Sequence, residues 1–151
     1  MAQTTGIING TDLVVFVHNG GSAGTIADYT AIAHLQDCSV SPSRGTRDIS
    51  TKDSAGNAEH LPAQKSWTAS ASGLYAQDAA YGYTALFAKF DAGTMVTLMI
   101  GDPTDAANLV HKGDAYLTSM PLTAPTEDNA TYSVEFQGTA ALSYGAASTL
   151  F

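Results

Sequence analysis

Residues 47–73 read RDISTKDSAGNAEHLPAQKSWTASASG, and their character changes partway along. The first part is polar, charged and punctuated by Gly and Pro, which argues for a loop. From Lys65 onward the chain alternates: Trp67, Ala69 and Ala71 fall on one side of an extended backbone, and Ser66, Thr68, Ser70 and Ser72 on the other. A period of two predicts a strand with one face on a core and the other in water. The polar segment, taken as a loop from about 44 to 65, is the puzzle, because connections above about 12–15 residues are uncommon in compact domains unless they have a task.

Outward from this stretch the chain reads mostly as strands. DLVVFVH at 12–18 is a short β-branched run that stops at the turn signal NGG, and TAIAHLQDCSVS at 30–41 reads as a longer strand. TMVTLMIG at 94–101 and DAYLTSMPLTA at 114–124 follow. In TYSVEFQGTAAL at 131–142, Tyr132, Val134 and Phe136 share one face, and Thr131, Ser133, Glu135 and Gln137 the other. One helix is expected at 79–91, where Tyr83, Leu86, Phe87 and Phe90 recur at the spacing of a single apolar face, with Asp78 as N-cap and Gly93 as terminator. The pattern is that of a mainly β protein: a β-sandwich or barrel with one α-helix plugging an open side, in one domain spanning 1–151.

Composition narrows the function. At 44% hydrophobic residues the chain supports a core, and no apolar run approaches the roughly 18 residues of a membrane span, so it reads as soluble and not secreted. Net charge is −8, unevenly spread. Residues 44–65 hold four of the six Lys and Arg residues, Arg44, Arg47, Lys52 and Lys65, against Asp48, Asp53 and Glu59, for a net charge of +1. The remaining residues sum to −9. A mildly basic segment on an acidic body is suited to docking on another copy of itself.

Little points to catalysis. HNGGSAGT at 18–25 lacks the Lys-Ser/Thr ending of a phosphate loop, the four histidines show no ligand spacing, and DPTD at 102–105 has the composition of a turn. Cys38 is the only cysteine and reads as a buried, inert thiol. No enzyme activity, cofactor or metal is expected.

The order RDISTKDS, EHLPAQKSW, an alternating strand, a GYTALF helix, TMVTLMIGD and a closing YSVEFQGTAALS strand resembles the major tail tube protein of long-tailed phages, over roughly residues 30–145. The resemblance implies hexameric rings stacked into a tube, with each subunit's strands joining an inter-subunit β-barrel around a DNA channel. It implies an inter-ring role for the long loop, with Arg47, Asp48, Lys52, Asp53 and Glu59 as its charged residues. It also places the polar set Ser66, Thr68, Ser70, Ser72, Thr131, Ser133, Glu135 and Gln137 toward the lumen. The implied partners are further copies of the chain, the tape measure, tail terminator and baseplate proteins, and DNA in transient, sequence-independent passage, with no membrane insertion. The location is then the virion tail, assembled in the host cytoplasm. An acidic lining fits a conduit, because a basic wall would release counterions and hold the duplex.

Two other readings share parts of this pattern. One is the tube of a bacterial secretion or contractile injection machine. The other is a monomeric β-sandwich module that stacks sugars on Tyr75, Tyr81 or Tyr116.

Overall fold

The computed structural model describes residues 10–18, 24–77 and 81–151. Its elements are β1 (Val14–His18), β2 (Thr30–Ala31), β3 (Leu35–Asp48), β4 (His60–Leu74), α1 (Tyr83–Ala92), β5 (Val96–Gly101), β6 (Leu109–Ser119), β7 (Leu122–Thr123), β8 (Thr131–Ala146) and α2 (Ala147–Leu150), with short 3-10 turns at Gly10–Asp12, Ile26–Asp28 and Lys52–Ser54. The strands form one antiparallel 8-stranded sheet in the order β2-β1-β5-β6-β8-β4-β3, with β7 pairing the first residues of β8 on the side that β6 occupies further along. The sheet curls until its ends approach, and the Cys38 thiol of β3 donates to the Leu13 carbonyl beside β1 at 3.5 Å.

The inside of the curl is the main core. Val15 and Val17 of β1, Val96, Leu98 and Ile100 of β5, Ala115 and Leu117 of β6, Tyr132, Val134 and Phe136 of β8, and Trp67, Ala69 and Ala71 of β4 pack there with Leu86 of α1. Alternation places them, because every second residue of a strand points the same way. Burying each large side chain is worth about 1.5–3 kcal/mol. The reverse face is covered only over β1, β5 and β6, where Tyr29, Met99, Val110 and Ala147 form a second cluster roofed by Ile26, Leu150 and Phe151.

The structure departs from the sequence reading in several places. The segment expected as a loop over 44–65 is half strand: Arg44 pairs with Lys65, Arg47 with Leu61 and Asp48 with His60, so residues 49–59 connect β3 to β4. Its residues are wet on both faces and thus carry no apolar period to announce a strand. The strand expected at 30–41 is broken after Ala31, where His34 adopts a left-handed φ of 55°. The helix begins at Tyr83 with Gly82 as its N-cap, while Asp78 lies outside the described residues. Gly93 ends it at φ 63° as expected. The apolar face is only partly buried: Leu86 is sealed, but Phe87 and Phe90 are 45% and 38% exposed, with Phe87 stacked on Tyr83 and tilted against Phe90. Cys38 is half-buried rather than sealed, and burial still pushes its thiol up.

Trp67 dictates two glycines. Its indole lies so close over β6 and β8 that a Cβ on Gly138 would come within 2.1 Å of the ring, and one on Gly113 within 2.5 Å. A rigid ring pinned in a core has nowhere to retreat, so Gly138→Ala is expected to lower stability by about 1–3 kcal/mol. Chemical denaturation of the two proteins measures this, and an unchanged midpoint would mean that Trp67 swings aside freely.

The second cluster predicts a pH effect. Burial, helped by Asp114 and Asp28, pushes the Tyr29 phenol up to about 12, and its hydroxyl has no hydrogen-bond partner among the described residues. A folded-state value above the ordinary 10.0 favours the neutral form. The stability it contributes is therefore present below pH 10 and is lost as pH rises through that window. Tyr29→Phe is expected to be neutral or slightly stabilising at pH 7 and to flatten the decline between about pH 10 and 12 in denaturation titrations. An identical decline in both proteins would assign it to another group.

Candidate functional site

The other half of the reverse face, over β3, β4 and β8, is bare. Direct register pairs Ser39 with Ser70, Ser41 with Thr68 and Ser43 with Ser66 across β3 and β4. Across β4 and β8 it pairs Thr68 with Gln137, Ser70 with Glu135 and Ser72 with Ser133. Thr131, Ser133, Ser70 and Ser72 are half-buried, and Ser66, Thr68, Glu135 and Gln137 exposed. The sequence thus grouped eight residues that the sheet does bring onto one surface. It missed Asp37, Ser39, Ser41 and Ser43 of β3, which extend that surface. Their own alternation in DCSVSPS was the available signal.

Short hydroxyl side chains bond sideways along this face. The Ser39 and Ser70 hydroxyls pair at 2.7 Å and those of Ser43 and Ser66 at 2.8 Å, while the Gln137 amide donates to the Trp67 carbonyl at 3.2 Å. The result is a smooth, hydrated surface whose charged members on these three strands are Asp37 and Glu135, both acidic. No described residues form a three-ligand metal cluster.

Beyond Thr68 the strands β3 and β4 leave the sheet as a two-stranded arm. From Ser41 to Ser66 every residue is exposed except half-buried Ser54. Arg47 and Asp48 end β3, Lys52 and Asp53 sit in the 3-10 turn, and Glu59 closes the connection, so all five expected loop residues lie toward the tip. The tip is tied by its own bonds. Ile49 N–H donates to the Glu59 carbonyl and Glu59 N–H to the Ser50 hydroxyl, each at 2.9 Å, and Ser50 N–H donates to the Asp48 carboxylate at 2.7 Å. Those bonds from Ser50 hold the Asp48 carboxyl below its usual range. Left-handed φ angles at Ala55 and Gly56 complete the turn. Ile49 and Leu61 stand exposed on the arm.

The tyrosines proposed for sugar stacking do not converge. Tyr75 and Tyr81 pack against the main core, with Tyr75 edge-on to Tyr83, whereas Tyr116 lies opposite Gln137 on the polar face.

A bare polar sheet face, open strand edges and an arm that projects, exposed, from the described body are the features of a subunit suited to assembly. The chain belongs to the phage tail tube protein family, whose family model matches residues 7–144. It is accordingly a structural component of the virion tail, not an enzyme. Similar folds occur in the tail of an empty gene transfer agent particle refined with C6 helical symmetry, at 22% identity and a TM-score of 0.75, covering 93% of this chain and 100% of that one. The SPP1 tail tube, determined by solid-state NMR and cryo-EM, matches at 14% identity and a TM-score of 0.72, covering 93% and 80%. A chain of the anti-feeding prophage baseplate matches at 9% identity and a TM-score of 0.67, covering 96% and 99%. No curated protein matches in sequence.

Proposed function

We propose that this chain forms rings of six that stack into the tail tube, with the polar face of β3, β4 and β8 lining a channel through which DNA passes. The observation that carries the reading is the contrast across the reverse face of one sheet: apolar and roofed over β1, β5 and β6, polar and bare over β8, β4 and β3. A wet lumen accounts for the bare half. The free edges of β3 and β7 then pair with neighbouring subunits, extending one sheet around the ring, which also removes the aggregation hazard of open edges. The arm reaches the adjacent ring. There, burial of Ile49 and Leu61 and pairing of Arg47 and Lys52 with acidic groups of the neighbouring body favour stacking. Tape measure, terminator and baseplate proteins are the remaining partners of such a tube, and assembly takes place in the host cytoplasm.

Purified protein tests this directly. Sedimentation and negative-stain imaging are expected to show rings, and tubes at high concentration. A chain that remains monomeric at every concentration, with and without virion extract, would overturn the proposal.

A further inference from the structure

Where β4 leaves β8, a cleft opens on the core side of the arm. Strands β4 and β8 pair from Leu74 with Thr131 as far as Thr68 with Gln137, and from there the arm and the C-terminal half of β8 diverge. The cleft has a volume of about 470 Å³ and is lined by Trp67, Leu142, His111, Tyr144, Arg44 and Lys65 among others. Three of its properties are unusual for so acidic a chain.

First, Arg44 and Lys65 are directly opposed cross-strand partners at the rim, and among the described residues no Asp or Glu lines the cleft. Like charges placed directly opposite destabilise a strand pair unless something neutralises them. Second, the floor holds unsatisfied polar atoms. Trp67 is 3% exposed, and its Nε1, which can only donate, has no hydrogen-bond partner among the described residues; buried Nδ1 of His111 has none either. Third, Tyr144 is 61% exposed, its ring 4.6 Å from that of His111 across the strands, so it presents an uncovered aromatic wall. Two opposed cations and an exposed aromatic wall together select an anionic occupant, one bearing carboxylates.

We infer that the cleft is a socket for the acidic turn at residues 124–130 of a second copy of this chain, with Glu127 and Asp128 meeting Arg44 and Lys65. The turn is exposed from Ala124 to Asn129 and lies at the opposite end of the molecule: it leads into β8 at Thr131, level with Leu74, and the Ala130 carbonyl accepts the Tyr75 N–H. Trp67 and Leu74 are seven strand positions apart on β4, about 23 Å at strand rise. Copies stacked head to tail along the strands therefore bring one molecule's turn toward the next molecule's cleft, the heterologous arrangement that produces open polymers. Asp102 and Asp105 cannot serve in such a stack, because they precede Leu109, which pairs with Ala146 at the cleft's own end. The inference rests on the proposed tube and names the second contact between its rings, distinct from the tip of the arm.

A charge exchange tests it. Arg44→Glu with Lys65→Glu is expected to preserve the monomer's melting temperature and ring formation, while raising the concentration needed for tubes by about ten-fold or more. Adding Glu127→Lys and Asp128→Lys to the same chain is expected to restore tubes. Carbodiimide coupling of isotopically mixed wild-type tubes is expected to join Lys65 to Glu127 or Asp128 of another copy. Tubes unaffected by the first pair, a loss not rescued by the second, or coupling of Lys65 to a different acid would each overturn the socket. Failure of the wild-type chain to form rings or tubes at all would instead refute the tube reading on which it stands.

Discussion

Tubes built from Glu135→Lys protein are expected to form normally and to grip DNA. Glu135 is exposed on the polar face, its backbone carbonyl accepts the Thr118 hydroxyl at 3.2 Å, and the residues flanking it in β8, Val134 and Phe136, carry the packing. A lysine there keeps its charge in water and leaves the core untouched, so the effect on folding is expected to fall within about 0.5 kcal/mol. In the proposed tube, however, every subunit repeats the substitution, and a wall whose charges on these strands were acidic acquires a band of ammonium groups facing phosphate. Binding through many phosphates falls steeply with salt, by about 10³-fold or more between 50 and 200 mM for a handful of contacts. Slow DNA release at low salt with recovery at high salt is therefore expected in ejection or filter-binding assays on assembled tubes. If Glu135→Lys instead abolishes ring formation with no recovery in salt, this face meets protein and not a channel.

The second large effect concerns the arm. Deleting Ser54–Asn57, or reversing Lys52 to Glu, changes only exposed or half-buried residues that touch no core. Thermal melting of the monomer is thus expected to be unchanged while tube yield falls about ten-fold, the response to losing roughly 1.4 kcal/mol per contact. An isolated two-stranded hairpin is marginal in water. Amides of residues 49–59 are accordingly expected to exchange quickly in the free subunit and slowly in tubes. Full tube yield from both variants would reduce the arm to a passive connection.

What was legible in the sequence follows from where water sits. β4 and β8 could be read residue by residue because each is buried on one side, and Trp67, Ala69 and Ala71 against Ser66, Thr68 and Ser70 is what half-burial looks like in letters. β5 showed a nearly apolar run because all six of its residues are buried, Thr97 among them with its hydroxyl donating to Asp114 at 2.6 Å. The arm was read as loop because both its faces are wet, so a strand there differs from a loop only in backbone hydrogen bonds. The break at His34 and the short helix Ala147–Leu150 were missed for a different reason: each is imposed by tertiary packing, the latter by Lys112, whose ammonium donates to the Leu150 carbonyl at 2.7 Å and sits 4.1 Å over the Phe151 ring. The demand of Trp67 for glycine at 113 and 138 has no local signature at all. The cleft at the base of the arm is likewise a product of two strands parting, which no single segment encodes.

The curled sheet has a further consequence for timing. Each subunit closes its own main core, so folding of the chain does not wait on its assembly. What remains for assembly is hydrogen-bonding edge, arm and charge, each weak alone and gathered in full only when a ring closes. In the proposed tube an incomplete ring leaves two unpaired edges and gains less than a completed one, so at concentrations below those at which the free chain assembles, growth is expected to start on a template and to proceed in whole layers.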